Sequence, residues 1–158
     1  MSERGSEIRM VTSEEIPALK EVLDTIELFP SDLLDDMMSD YLHNSESEDI
    51  WFADTEGGKP ISIGYCAPEK MTEGTYNLYA IGVINDIQAK GVGGKMMSFI
   101  ENHLRDNGHR ILIVDTSGTP EFKSSREFYT KLGYTKEAVI RDFWAEGDDK
   151  VVFCKQLN

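Results

Sequence analysis

The fold is decided by residues 76–105, which read YNLYAIGVI (76–84), NDIQAKGVGGK (85–95) and MMSFIENHLR (96–105). The first segment is an apolar run of strand length, and the last repeats apolar residues at helical spacing. Between them lies a glycine-rich turn from Gln88 to Gly94. Glycines let a backbone approach a ligand closely, and the first amides of a helix have no partner within it. This order of strand, turn and helix predicts a site for an anion such as phosphate.

Two common phosphate-binding motifs fit this turn poorly. A P-loop needs Ser or Thr after its Gly-Lys pair, whereas Lys95 is followed by Met96, so this class is excluded. A dinucleotide fingerprint, G-x-G-x-x-G, is met by Gly91 and Gly93, but Met96 takes the place of the third glycine. Asp115 lies roughly 20 residues further on, the distance expected for a ribose contact. A small nucleotide-binding domain therefore stays open as an alternative.

Composition bounds the class of protein. We expect a single domain over residues 1–158, because this length suits one domain and 40% hydrophobic residues is ordinary for a globular protein. No apolar run approaches the ~20 residues of a membrane helix, and no signal peptide is visible. We expect Cys66 and Cys154 to be reduced in a cytoplasmic protein. A net charge of −13 argues against nucleic acid and suits a cationic amine substrate.

Periodicity and turn residues predict the order β-α-α-β-β-β-α-β-α-β-β. The crossover through the glycine-rich turn predicts one parallel strand pair, and the GG and GD turns predict antiparallel hairpins. We therefore expect an α/β (α+β) fold with a mixed sheet and helices on both of its faces. The strands are predicted at 8–11, 50–54, 61–66, 76–84, 110–115, 138–144 and 151–157.

Two motifs and the element order resemble one enzyme family over essentially the whole chain. Gln88 to Gly93 matches [QR]-x-x-G-x-[GA], the pyrophosphate loop of the GCN5-related N-acetyltransferases (GNAT). The segment SSREFYTKLGY resembles the family helix A-x-x-F-Y-x-x-x-G-[FY], through Phe128, Tyr129 and Gly133. The closing RDFWAEGDDKVVFCKQL resembles the last hairpin of a subgroup of small acetyltransferases. The resemblance implies the acyl-CoA N-acyltransferase fold.

The chain departs from the family at two positions. Asn85 replaces a proline that often follows the strand, and Phe122 replaces an asparagine that often precedes the F-Y pair. The second change removes a side chain that helps to orient the cofactor arm in relatives.

The resemblance implies acetyl-CoA as cosubstrate, held by the strand end and the loop. Val83 and Ile84 would pair with the pantetheine arm as an added strand does. Arg126 would reach the phosphates, although a solvated helix face explains it equally well. The loop residues that would bind the cofactor are Gln88, Ala89, Lys90, Gly91, Val92, Gly93, Gly94 and Lys95.

The resemblance also implies direct transfer of the acetyl group to a primary amine. By its place in the F-Y motif, Tyr129 would protonate the leaving thiolate, and the alternative is a core tyrosine. Asp115 is a candidate general base, and the alternative is a cap for the following loop. Asn77 and Tyr79 could instead position a water, so the identity of the base stays open.

The remaining expectations concern partners. The three histidines show no ligand spacing, so we predict no metal. The amine could belong to a small molecule or to an exposed protein site, and a homodimer through the late strands is implied by the resemblance. A non-catalytic acyl-CoA sensor on the same fold is the alternative function, suggested by Phe122 and by the lack of an obvious base.

Overall fold

The computed structural model of the protein describes residues 6–85 and 90–158. Within these ranges the predicted mixed α/β fold is confirmed, with one strand more than the sequence predicts. The strands are β1 (Ser6–Met10), β2 (Ile50–Glu56), β3 (Lys59–Pro60), β4 (Ser62–Pro68), β5 (Thr75–Val83), β6 (Ile111–Ser117), β7 (Thr135–Ala145) and β8 (Asp148–Gln156). The α-helices are α1 (Ile16–Thr25), α2 (Leu34–His43), α3 (Val92–Asp106) and α4 (Lys123–Lys131).

The extra strand is the two-residue β3, which follows the predicted glycine turn. Gly57 and Gly58 have φ values of 60° and 82°, as a tight two-residue hairpin turn requires. Lys59 and Pro60 then pair back onto β2. Since proline has no N–H to donate, Pro60 ends this ladder and separates β3 from β4.

The chain divides into two compact units. Unit 1 comprises Met1–Ala67 and Tyr79–Ile100, and unit 2 comprises Pro68–Leu78 and Glu101–Asn158. Strand β5 and helix α3 each contribute residues to both units. The two units are described separately.

Unit 1 has helices on both faces of its strands, as predicted. Strand β2 pairs antiparallel with β1 and with β4, and the later residues of β5 follow β4. On one face, α1 and α2 pack on a buried cluster that contains Val11, Leu19, Val22, Leu23, Leu34, Met38, Trp51, Ala53 and Ile63. On the other face, the Phe52 ring lies 5.8 Å from the ring of Phe99 in α3. Successive residues of β2 thus point to opposite sides of the sheet.

Unit 2 contains both predicted kinds of strand pairing. Residues Thr75–Leu78 of β5 pair in parallel with residues Ile111–Val114 of β6, which confirms the crossover. Strand β8 pairs antiparallel with β6 on one side and with β7 on the other, which confirms the closing hairpin. Strand β7 begins at Thr135, three residues before the predicted start, because Thr135 and Lys136 pair with Cys154 and Phe153.

The two faces of the unit 2 strands differ in chemistry. One face, which we call the apolar face, carries Leu112, Val114, Val151 and Phe153, all at most 4% exposed. Tyr129 of α4 packs on this face, with its ring 5.9 Å from that of Phe153. The other face, which we call the polar face, carries Asn77, Asp115 and Lys150, because these residues alternate with or pair beside the apolar ones.

Candidate active site

The described part of the glycine-rich turn, Lys90 to Gly94, leads directly into the start of α3. Gly91 has φ = 80°, a left-handed conformation that favours glycine. The amide of Lys95 donates to the Gly91 carbonyl at 3.1 Å and closes the first helical turn. The amides of Val92 to Gly94 come before that bond, in the first turn of α3, where a helix has no acceptors of its own for them. The predicted ligands Gln88 and Ala89 lie outside the described residues.

The space beside this turn is open. Beyond their chain neighbours, ideal Cβ atoms placed on Gly91 and Gly94 meet no atom of another described residue within 4 Å. Lys90 and Lys95 are exposed on either side of the turn. A chain with a net charge of −13 thus presents two cations together with helix-start amides at this place.

Val83 and Ile84 end the strand that precedes the turn. Val83 is 8% exposed. The Ile84 amide donates to the carbonyl of Ile61 at 3.1 Å, so this N–H is already used within unit 1. Asn85, which stands where relatives often have proline, donates its side-chain amide to the Thr25 carbonyl at 2.8 Å. The strand end is therefore anchored to α1 by a side chain.

Tyr129 is buried on the apolar face, and its hydroxyl has no hydrogen-bond partner among the described residues. Its ring lies edge-on to Phe128 and Tyr134, at centroid distances of 5.2 and 5.7 Å. Burial raises the pKa of the Tyr129 phenol above its ordinary value, so the hydroxyl keeps its proton at neutral pH.

Tyr134 shows what a structural tyrosine looks like in the same unit. It is 4% exposed, but its hydroxyl donates to Glu101 Oε2 at 2.7 Å. Burial and this carboxylate together raise the pKa of Tyr134. The two neighbouring tyrosines are therefore equally buried, and only the one in the F-Y motif keeps its hydroxyl free for another molecule.

Asp115 lies inside β6, whereas the sequence predicts that it ends this strand, so the predicted end is wrong by two residues. The strand continues to Ser117 because Thr116 and Ser117 pair with β8. On the polar face, Asp115 Oδ2 accepts a hydrogen bond from Asn77 Nδ2 at 3.1 Å and lies 3.4 Å from Lys150 Nζ. Its other oxygen, Oδ1, is buried without a hydrogen-bond partner among the described residues.

Asn77 links two carboxylates. Besides Asp115, its Nδ2 donates to Glu69 Oε1 at 2.7 Å. Both carboxylates accept hydrogen bonds when ionised, which fixes the orientation of the Asn77 amide. The Oδ1 atom of Asn77, a residue that is 3% exposed, is buried without a partner among the described residues.

Arg126 is partly used for structure. Its Nη1 donates to the carbonyls of Ser117 and Thr119, at 2.7 and 2.8 Å, and so fixes the loop that precedes α4. The remaining N–H groups of the guanidinium are the ones that a phosphate could use.

The structure groups the predicted site residues by unit. Unit 1 holds Val83, Ile84 and the described part of the turn, whereas unit 2 holds Asp115, Arg126 and Tyr129. Within unit 2, Tyr129 and Asp115 belong to opposite faces of the strands, because Asp115 follows Val114 of the apolar face. Sequence reasoning missed Lys150, since in the pattern GDDK it considered the two aspartates, as turn residues or as the lining of a cationic pocket, and not the lysine.

The acidic residues of the last hairpin serve the hairpin itself. Asp142 accepts the Gly147 amide at 2.9 Å, and Asp149 accepts the Asp142 amide at 3.1 Å. Asp148 accepts the Ser117 hydroxyl at 2.5 Å. These carboxylates thus accept hydrogen bonds within the hairpin and from the end of β6.

The model of the family described as "Acetyltransferase (GNAT) domain" matches residues 46–136. The chain belongs to the GNAT acetyltransferase family. The matched region of this GNAT chain contains the glycine-rich turn, Asp115 and Tyr129, and it ends before β8. No curated protein matches the sequence.

Solved GNAT structures share the fold. A protein assigned to the family from Desulfovibrio desulfuricans is 24% identical, with a TM-score of 0.90 over 98% of this chain and 100% of that one. The ribosomal-protein-S18-alanine N-acetyltransferase of Escherichia coli is 16% identical, with a TM-score of 0.78 over 97% and 94%. An aminoglycoside 6'-N-acetyltransferase complexed with coenzyme A is 16% identical, with a TM-score of 0.70 over 96% and 97%.

Across residues 6–85 and 90–158, no three His, Cys, Asp or Glu side chains converge as metal ligands. None of the helices in these ranges combines the length and apolarity that a bilayer crossing requires.

Proposed function

We propose that the protein transfers an acetyl group from acetyl-CoA directly to a primary amine. The observation that carries the proposal is Tyr129, a residue only 5% exposed whose hydroxyl makes no hydrogen bond to another described residue. The family supplies the coarser statement, an acetyltransferase. The amine acceptor, the acetyl donor and a cytoplasmic location are parts of the proposal.

The turn at the start of α3 fits the diphosphate of coenzyme A. Gly91 and Gly94 leave open space where a side chain would otherwise stand, and the amides of Val92 to Gly94 would donate to phosphate oxygens. Lys90 and Lys95 add two exposed cations. When bound, acetyl-CoA supplies an acetyl group activated as a thioester. A related fold has been solved with coenzyme A bound, which supports this choice of donor.

Tyr129 would hold the proton that the leaving thiolate needs. Because burial raises its pKa above the ordinary value, the Tyr129 phenol stays protonated at neutral pH. General acids placed in this way typically contribute 10²–10⁴-fold to a rate, by order of magnitude. The apolar ring contacts of Tyr129 hold the phenol in one orientation, so little order has to be created at the moment of reaction.

Asp115 is the candidate for taking the proton of the amine, which would then approach the thioester from the face of the strands opposite to Tyr129. An alkylamine is about 10³-fold more abundant as the ammonium ion at pH 7, so neutralising it costs about 4–5 kcal/mol. A carboxylate that takes up this proton, directly or through water, reduces the cost. Asn77 holds Asp115 Oδ2 in place from one side.

A second candidate function is a non-catalytic acyl-CoA-binding module. The observation that favours it is the ion pair of Asp115 with Lys150, which already occupies the candidate base. Phe122 in place of the family asparagine points the same way. A panel of amines with acetyl-CoA and a readout for free thiol separates the two functions, because the module would bind the cofactor and release no thiol.

Calorimetric titration with acetyl-CoA tests the proposal, with Gly91→Ala as the variant and Gly108→Ala as its matched control. Both glycines have positive φ (80° and 84°) and no atom within 4 Å of an ideal Cβ. Each change should therefore cost a similar ~1–2 kcal/mol of backbone strain. We expect Gly91→Ala to weaken acetyl-CoA binding about tenfold, since its methyl group enters the space left for phosphate.

Three results would count against the proposal. If wild-type protein gives no heat of binding with millimolar acetyl-CoA, acetyl-CoA is not the acetyl donor. Equal affinities of the Gly91→Ala and Gly108→Ala variants would remove the turn from the binding site. Binding of NADH without binding of acetyl-CoA would favour the nucleotide-binding alternative.

A further inference from the structure

The ammonium group of Lys150 lies between a carboxylate and an aromatic ring on the polar face. Its Nζ is 3.4 Å from Asp115 Oδ2 and 4.4 Å from the centroid of the Phe143 ring. Both members of the ion pair are mostly buried, with 19% and 18% of their side chains exposed. A carboxylate beside an aromatic face is the combination that binds alkylammonium ions.

Lys150 is held more loosely than Lys155, a lysine of the same strand. Lys155 Nζ donates to Glu101 Oε1 at 3.0 Å and to the Leu132 carbonyl at 2.8 Å, which are two directed hydrogen bonds. The Lys150 contact at 3.4 Å is longer than a charge-assisted hydrogen bond, for which ~2.7–2.9 Å is usual. Lys150 can therefore be displaced at a lower cost than Lys155.

Two hydrogen-bond acceptors of the polar face are not used by Lys150. Asn77 Oδ1 and Asp115 Oδ1 are buried hydrogen-bond acceptors without a partner among the described residues. An ammonium group has three N–H donors, so a smaller or deeper-lying amine would gain hydrogen bonds that Lys150 does not make. Each satisfied oxygen would remove the penalty of a buried unpaired acceptor.

An aromatic pair borders this place and leaves it accessible. Phe143 and Trp144 are each 48% exposed, and their rings meet edge-to-face at 4.8 Å. Trp144 Nε1 donates to the Thr116 carbonyl at 3.1 Å, which fixes the indole beside β6. Exposed aromatic rings next to a buried carboxylate indicate a recognition surface for a cation with an alkyl chain.

We infer that the acceptor is an alkyl primary ammonium ion that displaces Lys150 Nζ from Asp115 and from the Phe143 ring. Lys150 thus competes with the acceptor for Asp115. The strength of the contact between Lys150 and Asp115 sets how tightly an acceptor must bind before the proton of the acceptor can pass to Asp115. The inference rests on the proposed function for the role of Asp115, although the binding site itself does not need a reaction.

Binding of n-butylammonium to the full chain tests the inference, followed by the fluorescence of Trp144. The other tryptophan, Trp51, is fully buried in unit 1, so a change on binding reports on Trp144. We expect Lys150→Gln to lower the Kd for n-butylammonium about three- to fivefold, as the loss of one competing ion pair implies. The matched control, Lys155→Gln, removes an ion pair on the other face and should leave this Kd unchanged.

Phe143→Leu gives a second, independent readout. Because Phe143 is half exposed, the fold tolerates this change, and the loss of the aromatic face should weaken n-butylammonium binding about threefold. An unchanged or higher Kd in Lys150→Gln, or an unchanged Kd in Phe143→Leu, would overturn the inference. Should Lys150→Gln fail to fold, the Phe143→Leu result decides alone.

Turnover separates this inference from the proposed function. If both hold, Lys150→Gln lowers KM for the acceptor amine and leaves kcat/KM for acetyl-CoA unchanged. If n-butylammonium binds as expected and no amine is acetylated, the ammonium site stands and the proposed function falls. If amines are acetylated while Lys150→Gln leaves acceptor KM unchanged, the proposed function stands and the competitor role of Lys150 falls.

Discussion

Val114 and Asp115 are neighbours in β6, yet they belong to faces with opposite properties. Val114 is 3% exposed on the apolar face, where Phe153 and Tyr129 also lie. Asp115 belongs to the polar face with Asn77 and Lys150, where charges meet at hydrogen-bond or ion-pair distance. The period of two in a strand lets one segment supply both faces.

The two faces of unit 2 contribute differently, the apolar face to folding stability and the polar face to the proposed chemistry. Burial of apolar side chains stabilises at roughly 25 cal/mol per Å², so the apolar face supplies most of the folding free energy of this unit. The Asp115–Lys150 pair of the polar face is mostly buried, so the cost of desolvation offsets much of its Coulomb attraction. We therefore expect the polar face, rather than the apolar face, to exchange contacts when a substrate binds.

The largest expected effect is on stability, from Phe153→Ala compared with Val152→Ala. Phe153 is 2% exposed on the apolar face, so its truncation should cost about 3–5 kcal/mol of unfolding free energy. Val152 is partly buried on the polar face and should cost about 1 kcal/mol. Urea denaturation measures both. Similar losses for the two variants would show that the faces do not differ as described.

The next effect is on rate, from Tyr129→Phe compared with Tyr134→Phe. If Tyr129 is the acid, its loss should lower kcat about 10²-fold or more without a comparable change in acetyl-CoA affinity. Tyr134→Phe removes the hydrogen bond to Glu101, so it should cost about 1.5–3 kcal/mol of stability and leave kcat near the wild-type value. Steady-state kinetics with an amine that the protein acetylates measures kcat for both variants. An unchanged kcat in Tyr129→Phe would take the acid role from Tyr129.

The smallest expected effect is the response of kcat to alkaline pH. Burial raises the pKa of Tyr129 above the ordinary 10.0, so its proton is retained below pH 10 and lost only as the pH rises through the higher folded value. We therefore expect no decline in kcat from Tyr129 between pH 7 and pH 10. A descending limb near pH 8 in wild-type protein that disappears in Tyr129→Phe would contradict this expectation.

Most of the fold could be predicted because local signals agree with it. The apolar run before the turn and the helical spacing after it specify β5 and α3, and Gly91 has the positive φ that the motif implies. The GG and GD turns specify two hairpins through glycine conformations. Element ends were less accurate. The sequence TSGTP after Asp115 is typical of a turn, but β8 supplies backbone partners that extend β6 to Ser117.

The candidate site was only partly predictable, because side-chain partners depend on register. The F-Y motif singles out Tyr129, but no local pattern shows that its hydroxyl lacks a partner while that of Tyr134 has one. Asp115 was found from its position after an apolar strand. Lys150 could not be predicted in the same way. It lies 35 residues after Asp115, and the two side chains meet only because β6 pairs with β8.

Because β5 and α3 each contribute residues to both units, neither unit can be isolated as one continuous fragment. Each unit is assembled from two separate stretches of chain, so no single proteolytic nick releases either one as a continuous piece. A truncated polypeptide of residues 101–158 would contain β6 but would lack residues Thr75–Leu78 of β5, which pair with it. That fragment would present an unpaired strand edge to other molecules, and we expect it to aggregate rather than fold.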